Sequence, residues 1–350
     1  MLFFLRKVAK HPLVGLIDKP NERKLHQGSV PLVGGISICL SILYFLYNNP
    51  TIIPHSTLYC FSIVVLVLVG ALDDKFDISF KFRLAVQVAL ALVVMLYADF
   101  QLANLGNFLG FGPVHLSSVL GGIITVFAVL GAINAFNMVD GIDGLLGGLA
   151  SVTFGGLGFL FFMHSQFNLA YLCLVLIIIM MPYILLNLGL LGRKRKVFMG
   201  DAGSMLIGFT VIFLLIVATQ PTTNKEILRP VTALWLIAIP LMDMAAIMYR
   251  RLRRGDSPFK PDRGHLHHIF QRIGYNSRQT LLIIACIALT FAAIGILGEY
   301  FKVSESIMFY MFVLFFLLYT IVLNYIWRVV KRVRSMKRLY RFIKRTHSEH

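Results

Sequence analysis

Apolar runs of about twenty residues recur along the chain, separated by short polar stretches, and a run of that length carries an α-helix across a bilayer. Ten are predicted: 31–49, 56–72, 82–98, 119–136, 145–163, 169–190, 203–219, 230–249, 280–298 and 306–327. Lipid offers no partner to backbone N–H and C=O groups, so spans of this kind must be helical. The fold class that follows is all-α and polytopic, a single membrane-embedded domain over 1–350 with about ten transmembrane helices. Residues 99–118, containing Gly106, Gly110, Gly112 and Pro113, predict a small structural hairpin among otherwise short outer connections.

Charge sharpens this picture. When the connecting segments are assigned alternately to two sides, one side collects 30 of the 33 Lys and Arg residues, and only Lys225, Arg229 and Lys302 fall on the other. Such an asymmetry places the basic side, with both termini, in the cytoplasm. Residues 1–5 are apolar but too few to span, and no signal-peptide cleavage pattern follows them. The basic tail at 328–350 is read either as an amphipathic segment on anionic headgroups or as a simple topology anchor.

Composition agrees. Of 350 residues, 58% are hydrophobic and 14% charged, and the mean hydropathy is +0.79, which excludes an ordinary soluble domain. The net charge of +17 would point to nucleic acid in a soluble protein. Its confinement to one side points to the lipid bilayer instead, and no nucleic-acid partner is expected. Four isolated cysteines without CxxC spacing read as buried small apolar groups.

The chemistry lies in the basic-side loops. In Asn134-Ala-Phe-Asn137-Met-Val-Asp140-Gly-Ile-Asp143-Gly, two carboxamides and two carboxylates recur at spacings of three, which lines Asn134, Asn137 and Asp140 along one helical face. Oxygen donors at the rim of a span suit a hard divalent cation carrying phosphates; the alternative is a polar re-entry loop. Asp73-Asp74, with Asp77, forms a second acidic group that can bind metal, supply a base or sit in a solvated turn. Lys81 and Arg83 open the next span, placed to meet phosphate. Asp201 stands between Gly200 and Gly203, after the basic run Arg193-Lys194-Arg195-Lys196. There it is either a metal carboxylate at a helix N-terminus or an ordinary N-cap. The Arg/His-rich loop 250–278 contains Arg263, His265, His267 and His268. No cysteine lies near these histidines, so anion binding fits them better than zinc. Asp243, the one acidic residue plainly inside a span, lies roughly 10 Å along the helix from Arg250 and is open between a site role and a helix contact. Carboxylates for a cation beside Arg, Lys and His for phosphate is the layout of phosphoryl transfer.

With these motifs in this order, the chain resembles the polyprenyl-phosphate N-acetylhexosamine-1-phosphate transferase family (glycosyltransferase 4). The likeness runs from Asp18-Lys-Pro-Asn-Glu-Arg-Lys-Leu-His26 and Val30-Pro-Leu-Val-Gly-Gly35 to Arg278. The run from Gly192 through Gly200-Asp201-Ala-Gly203, with His265-Leu-His-His268, is most similar to the enterobacterial branch that uses UDP-GlcNAc and undecaprenyl phosphate. That resemblance implies transfer of GlcNAc-1-phosphate to undecaprenyl phosphate with release of UMP and with Mg²⁺ or Mn²⁺. It further implies an inner-membrane location, a site facing the cytoplasm, and a product that primes O-antigen or enterobacterial common antigen synthesis. It makes Asp201 a metal ligand and Asn137 a second metal-side group. Asp73 and Asp74 would position or deprotonate the lipid phosphate. Asp140, Asp143 and Phe198 would lie in the central site, the latter two near uridine, and the histidines would hold the sugar-nucleotide phosphates. Members usually carry eleven spans, so residues 1–5 are expected to be the end of a further one. A homodimer is compatible with the sequence, which does not fix the oligomeric state. Within the class, UDP-MurNAc-pentapeptide or another UDP-HexNAc is the alternative donor; outside it, an ion-coupled transporter or a non-catalytic lipid-binding scaffold.

Overall fold

A computed structural model describes residues 1–11, 15–18, 29–220, 227–258 and 264–346. Short helix α1 (Leu2–Ala9) and a two-stranded antiparallel ribbon, β1 (Ile17–Asp18) with β2 (Val30–Pro31), precede the bundle. The helices that follow are α2 (Gly34–Asn48), α3 (Ser56–Phe76), α4 (Phe80–Ala98), α5 (Ser118–Val139), α6 (Leu145–Met163), α7 (Phe167–Asn187) and α8 (Gly200–Thr219). After them come α9 (Pro230–Leu236), α10 (Ala238–Arg253), α11 (Leu266–Ile273), α12 (Ser277–Tyr300) and α13 (Glu305–Thr346).

Eight of these are long and apolar enough to cross a membrane: α3 to α8, α12 and the Glu305–Tyr325 part of α13. The other two predicted spans are corrected. The first is a 15-residue helix, α2, because Pro31 belongs to the ribbon and the helix starts only after its N-cap, Val33. The span at 230–249 is broken into α9 and α10, which meet at 81°. Pro240 has no N–H to offer the Leu236 carbonyl, and its ring collides with a straight continuation. Thr153 Oγ1 of α6 donates to that released carbonyl at 3.1 Å, so it is not left bare in the apolar interior.

Helix α8 is the axis of the bundle. Every residue of its membrane-length window is buried, and α2, α3 and α5 pack on it. The close approach rests on glycines. A Cβ on Gly35 would fall 2.2 Å from the Gly203 nitrogen, and one on Gly70 would fall 2.3 Å from the Ala202 Cα. Small residues at crossing points let backbones touch where lipid supplies no hydrophobic drive to associate.

The 99–118 segment forms the expected hairpin, with an Asn104–His115 bridge and Leu105 N–H donating to the Val114 carbonyl at 3.0 Å. Gln220, at the end of α8, anchors it by accepting from the Ala103 and Asn104 N–H groups at 3.0 and 3.1 Å. The basic tail continues α13 as one 42-residue helix to Thr346.

Candidate active site

Four helix ends converge. Asp73 and Asp74 close α3, Arg83 opens α4, Asn137 ends α5 and Asp201 begins α8. The Arg83 guanidinium joins them: the same Nη1 donates to Asp73 Oδ2 and, at 2.8 Å, to Asp201 Oδ2. Two motifs 128 residues apart in the chain therefore share one cation at one end of the bundle. Asn137 Nδ2 donates to Asp201 Oδ1 at 2.6 Å and to Ser204 Oγ at 2.8 Å.

Asp74 is placed differently from its neighbour. Its carboxylate accepts from the Asp201 N–H at 2.8 Å and, more weakly, from the Ala202 N–H at 3.4 Å. It thus satisfies the first free donors of α8 and places a negative charge at that helix's positive end. Gly200 has φ +73°, and a Cβ there would lie 2.3 Å from Asp74 Oδ2, so glycine is required both for the turn and for the contact. Asp201 is accordingly not the N-cap; Asp74 of another helix serves that end, and the Asp201 side chain is left for the site.

Asn134 and Asn137 lie on α5 as their spacing predicts, whereas Asp140 falls just past its end in a non-helical conformation, because the helix stops at Val139. Asn134 donates to Gln87 Oε1 at 3.0 Å, which ties α5 to α4. Asp140 follows the last turn of α5 and keeps contact with water, yet it sits deep among protein atoms. That desolvation, with the carboxylates of Asp201 and Asp143 nearby, pushes its carboxyl up to about 7. Asp143 pairs with Lys196 Nζ at 2.6 Å, and the same ammonium lies 5.0 Å from the Phe198 ring centre. The structure thus brings Asp143 and Phe198 to either side of one ammonium. Lys81 is exposed and lies outside this contact set.

The histidine segment docks on the same end of the bundle. His265 Nδ1 pairs with Asp243 Oδ2 at 2.8 Å, while Asp243 Oδ1 accepts from the Leu266 N–H at 3.1 Å and the Tyr319 hydroxyl at 2.8 Å. Asp243 is a buried clamp that holds the start of α11, and with it His265, against α10 and α13. His267 is 2% exposed, and a Cβ on Gly141 would fall 2.1 Å from its Nε2. Burial, then the neighbouring His268 and His265, pushes the His267 imidazole down to about 3, which favours its neutral form near pH 7. Among the described residues its Nε2 has no hydrogen-bond partner, and it points toward the 140–143 turn. His268 lies beside His267 with ring centres 4.2 Å apart. Arg263 lies outside the described residues.

Sequence reasoning missed Gln87 and Asn187. Asn187 is buried, accepts from the Gly144 N–H at 2.6 Å and donates to the Val197 carbonyl at 3.0 Å, which locks the central motif to the Val197–Gly200 turn. A lone carboxamide at the end of an apolar run was the available signal.

Among the described residues no three His, Cys, Asp or Glu side chains form a ready-made metal cluster. Magnesium is commonly held by one or two carboxylates together with substrate phosphates and water, and the donor set fits that mode. The Asp201 side chain is 34% exposed, against 6% for Asp73, so of this pair Asp201 is the carboxylate an ion can reach. Asp140 is near enough to feel its charge. Asn137 meets Asp201 as a hydrogen-bond donor.

The profile of glycosyl transferase family 4 matches residues 56–219, which contain all four converging helix ends. Over almost its whole length the chain is similar to the undecaprenyl-phosphate alpha-N-acetylglucosaminyl 1-phosphate transferase of Escherichia coli O157:H7 (52% identical over 341 residues, 97% of this chain and 92% of that protein). It is similar to the proteins of the same name from Salmonella typhi (51% over 342 residues, 97% and 92%) and Pasteurella multocida strain Pm70 (49% over 338 residues, 96% and 93%).

Proposed function

Because the chain belongs to glycosyl transferase family 4, we propose that it transfers GlcNAc-1-phosphate from UDP-GlcNAc to undecaprenyl phosphate. The observation that carries this reading is Arg83 held between Asp73 and Asp201. A guanidinium between two carboxylates is a cation that an incoming phosphate can claim, and one of those carboxylates is open enough to take a divalent ion. The names of the relatives supply the substrates.

An oxygen of the lipid phosphate attacks the β-phosphorus of UDP-GlcNAc. The bond from that phosphorus to the bridging oxygen breaks, and UMP leaves with the bridging oxygen. Asp201, with Asp140 and Asn137 beside it, would hold a Mg²⁺ or Mn²⁺ ion, which when bound would supply charge neutralisation for the pyrophosphate. Arg83 orients phosphate next to Asp73. A phosphate monoester is already largely ionised near pH 7, its second pKa being about 6, so Asp73 positions the acceptor more than it removes a proton. Lys196 holds Asp143 beside the Phe198 ring, an acceptor and an aromatic face suited to a uracil. Neutral His267 offers a hydrogen bond at the 140–143 turn rather than a charge. The 30 basic residues on one side support a site facing the cytoplasm of a bacterial inner membrane, and the product fits the priming of O-antigen or enterobacterial common antigen synthesis. The clamp on Asp243 removes the one mid-span carboxylate that an ion-coupled transporter would have used.

Purified protein with Mg²⁺, undecaprenyl phosphate and a panel of UDP-sugars should release UMP fastest with UDP-GlcNAc. A preference for UDP-MurNAc-pentapeptide or another UDP-HexNAc would reassign the donor, and no UMP from any of them would end the transferase reading. Replacing His267 and His268 by Ala should raise the nucleotide KM about tenfold, the loss of about one hydrogen bond to a charged group, with the lipid KM unchanged. An unchanged nucleotide KM would remove these residues from the donor site.

A further inference from the structure

We propose that the groove between α10 and α13 is a binding site for an anionic phospholipid of the bilayer, separate from the seats of donor and acceptor. The groove has a volume of about 780 Å³, within the roughly 300–1,000 Å³ of sites that hold small ligands. Arg250, Arg253 and Arg254 line one end, Phe316, Leu317 and Ile321 line the wall, and among the described residues no Asp or Glu lines it. The exposed guanidiniums of Arg253 and Arg254 match a phosphate headgroup in charge and in hydrogen-bonding geometry.

The order of residues along α13 matches a lipid rather than a soluble phosphate. From Tyr325, level with the arginines, to Phe316 is nine residues, roughly 13 Å at helical rise, and this stretch runs from the membrane rim into the apolar span. Leu317 and Ile321 are each 52% exposed, facing where acyl chains lie. Tyr249 and Tyr325, which also line the groove, sit where aromatic side chains mark the headgroup level. Basic pockets between transmembrane helices on the cytoplasmic side are the usual seats of anionic headgroups. None of the lining residues takes part in the Asp73–Arg83–Asp201 contacts, so the groove is a second site.

Native mass spectrometry of the full chain in detergent, titrated with cardiolipin and with phosphatidylethanolamine, reads this directly and needs no turnover. R253Q/R254Q should lower cardiolipin binding at least fivefold, and Thr320→Trp, which fills the apolar wall, should do the same. Phosphatidylethanolamine and undecaprenyl phosphate binding should stay as in the parent protein. Should Thr320→Trp fail to fold, Leu317→Trp at an exposed position replaces it. Cardiolipin binding that survives both changes, that falls only with the arginine change (surface charge alone), or that millimolar inorganic phosphate displaces, overturns the proposal. Because no UDP-sugar is present, failure of the transferase reading would leave this result untouched.

Discussion

Asp201→Asn should cut UMP release by about a thousandfold or more while leaving a folded, membrane-inserted protein. Removing one preorganised charge from a phosphoryl-transfer site costs roughly 10²–10³ in rate, and here the same change also weakens the ion's attachment. Asparagine keeps the shape and still accepts from Asn137, now 2.6 Å from Asp201 Oδ1. The backbone N–H of residue 201 keeps its bond to Asp74. What disappears is one negative charge, which leaves Arg83 with Asp73 alone and relieves the repulsion on Asp140. The variant should therefore unfold at the same temperature as the parent or slightly above it when no divalent ion is present. With UDP-GlcNAc present, Mg²⁺ should raise the melting temperature of the parent and not of the variant. Normal turnover by Asp201→Asn, or an equal magnesium-induced shift in both proteins, would take Asp201 out of the metal role.

How much of this was legible beforehand follows from the range of the interactions. The helices were readable because backbone pairing in an apolar medium is a local demand. The 134–143 motif was readable because its spacing already encodes a face. The 99–118 hairpin was announced by its glycines. What could not be read is what depends on a second helix. Asp74 looks like a twin of Asp73, yet it caps α8, a role visible only once α3 lies against the Gly200 turn. Asp243 could be weighed as site or contact but not decided, since its partners are 22 and 76 residues away. The bend at Pro240 had a local signal, whereas the feature that makes it tolerable, Thr153, is on α6. Asn187 and Gln87 were single carboxamides in apolar runs, and only their partners distinguish them from solvent-facing residues.

Gly35→Ala should be the most damaging single-methyl change in the bundle. The added carbon would lie 2.2 Å from the Gly203 nitrogen, 2.3 Å from the Gly203 Cα and 2.8 Å from the Ala202 carbonyl carbon. These are backbone atoms of the buried part of α8, so no side chain can swing aside, and α2 itself must retreat. That retreat would stretch the bonds from the Gly34 and Gly35 N–H groups to the Phe198 and Met199 carbonyls, now 3.0 and 3.1 Å. Those bonds hold the turn from which Asp201 enters the site. Overpacking ordinarily costs about 1–3 kcal/mol; with rigid backbone on both sides and two hydrogen bonds at risk, more than about 4 kcal/mol is expected. Gly155→Ala in α6 is the matched control, because a Cβ there meets nothing within 4 Å. In a helix interior that exchange is neutral or stabilising by up to about 1 kcal/mol. Detergent-extracted yield and melting temperature should collapse for Gly35→Ala and hold for Gly155→Ala. Equal behaviour of the two would mean that α2 is not seated on α8, and the entry angle of Asp201 would then need another cause.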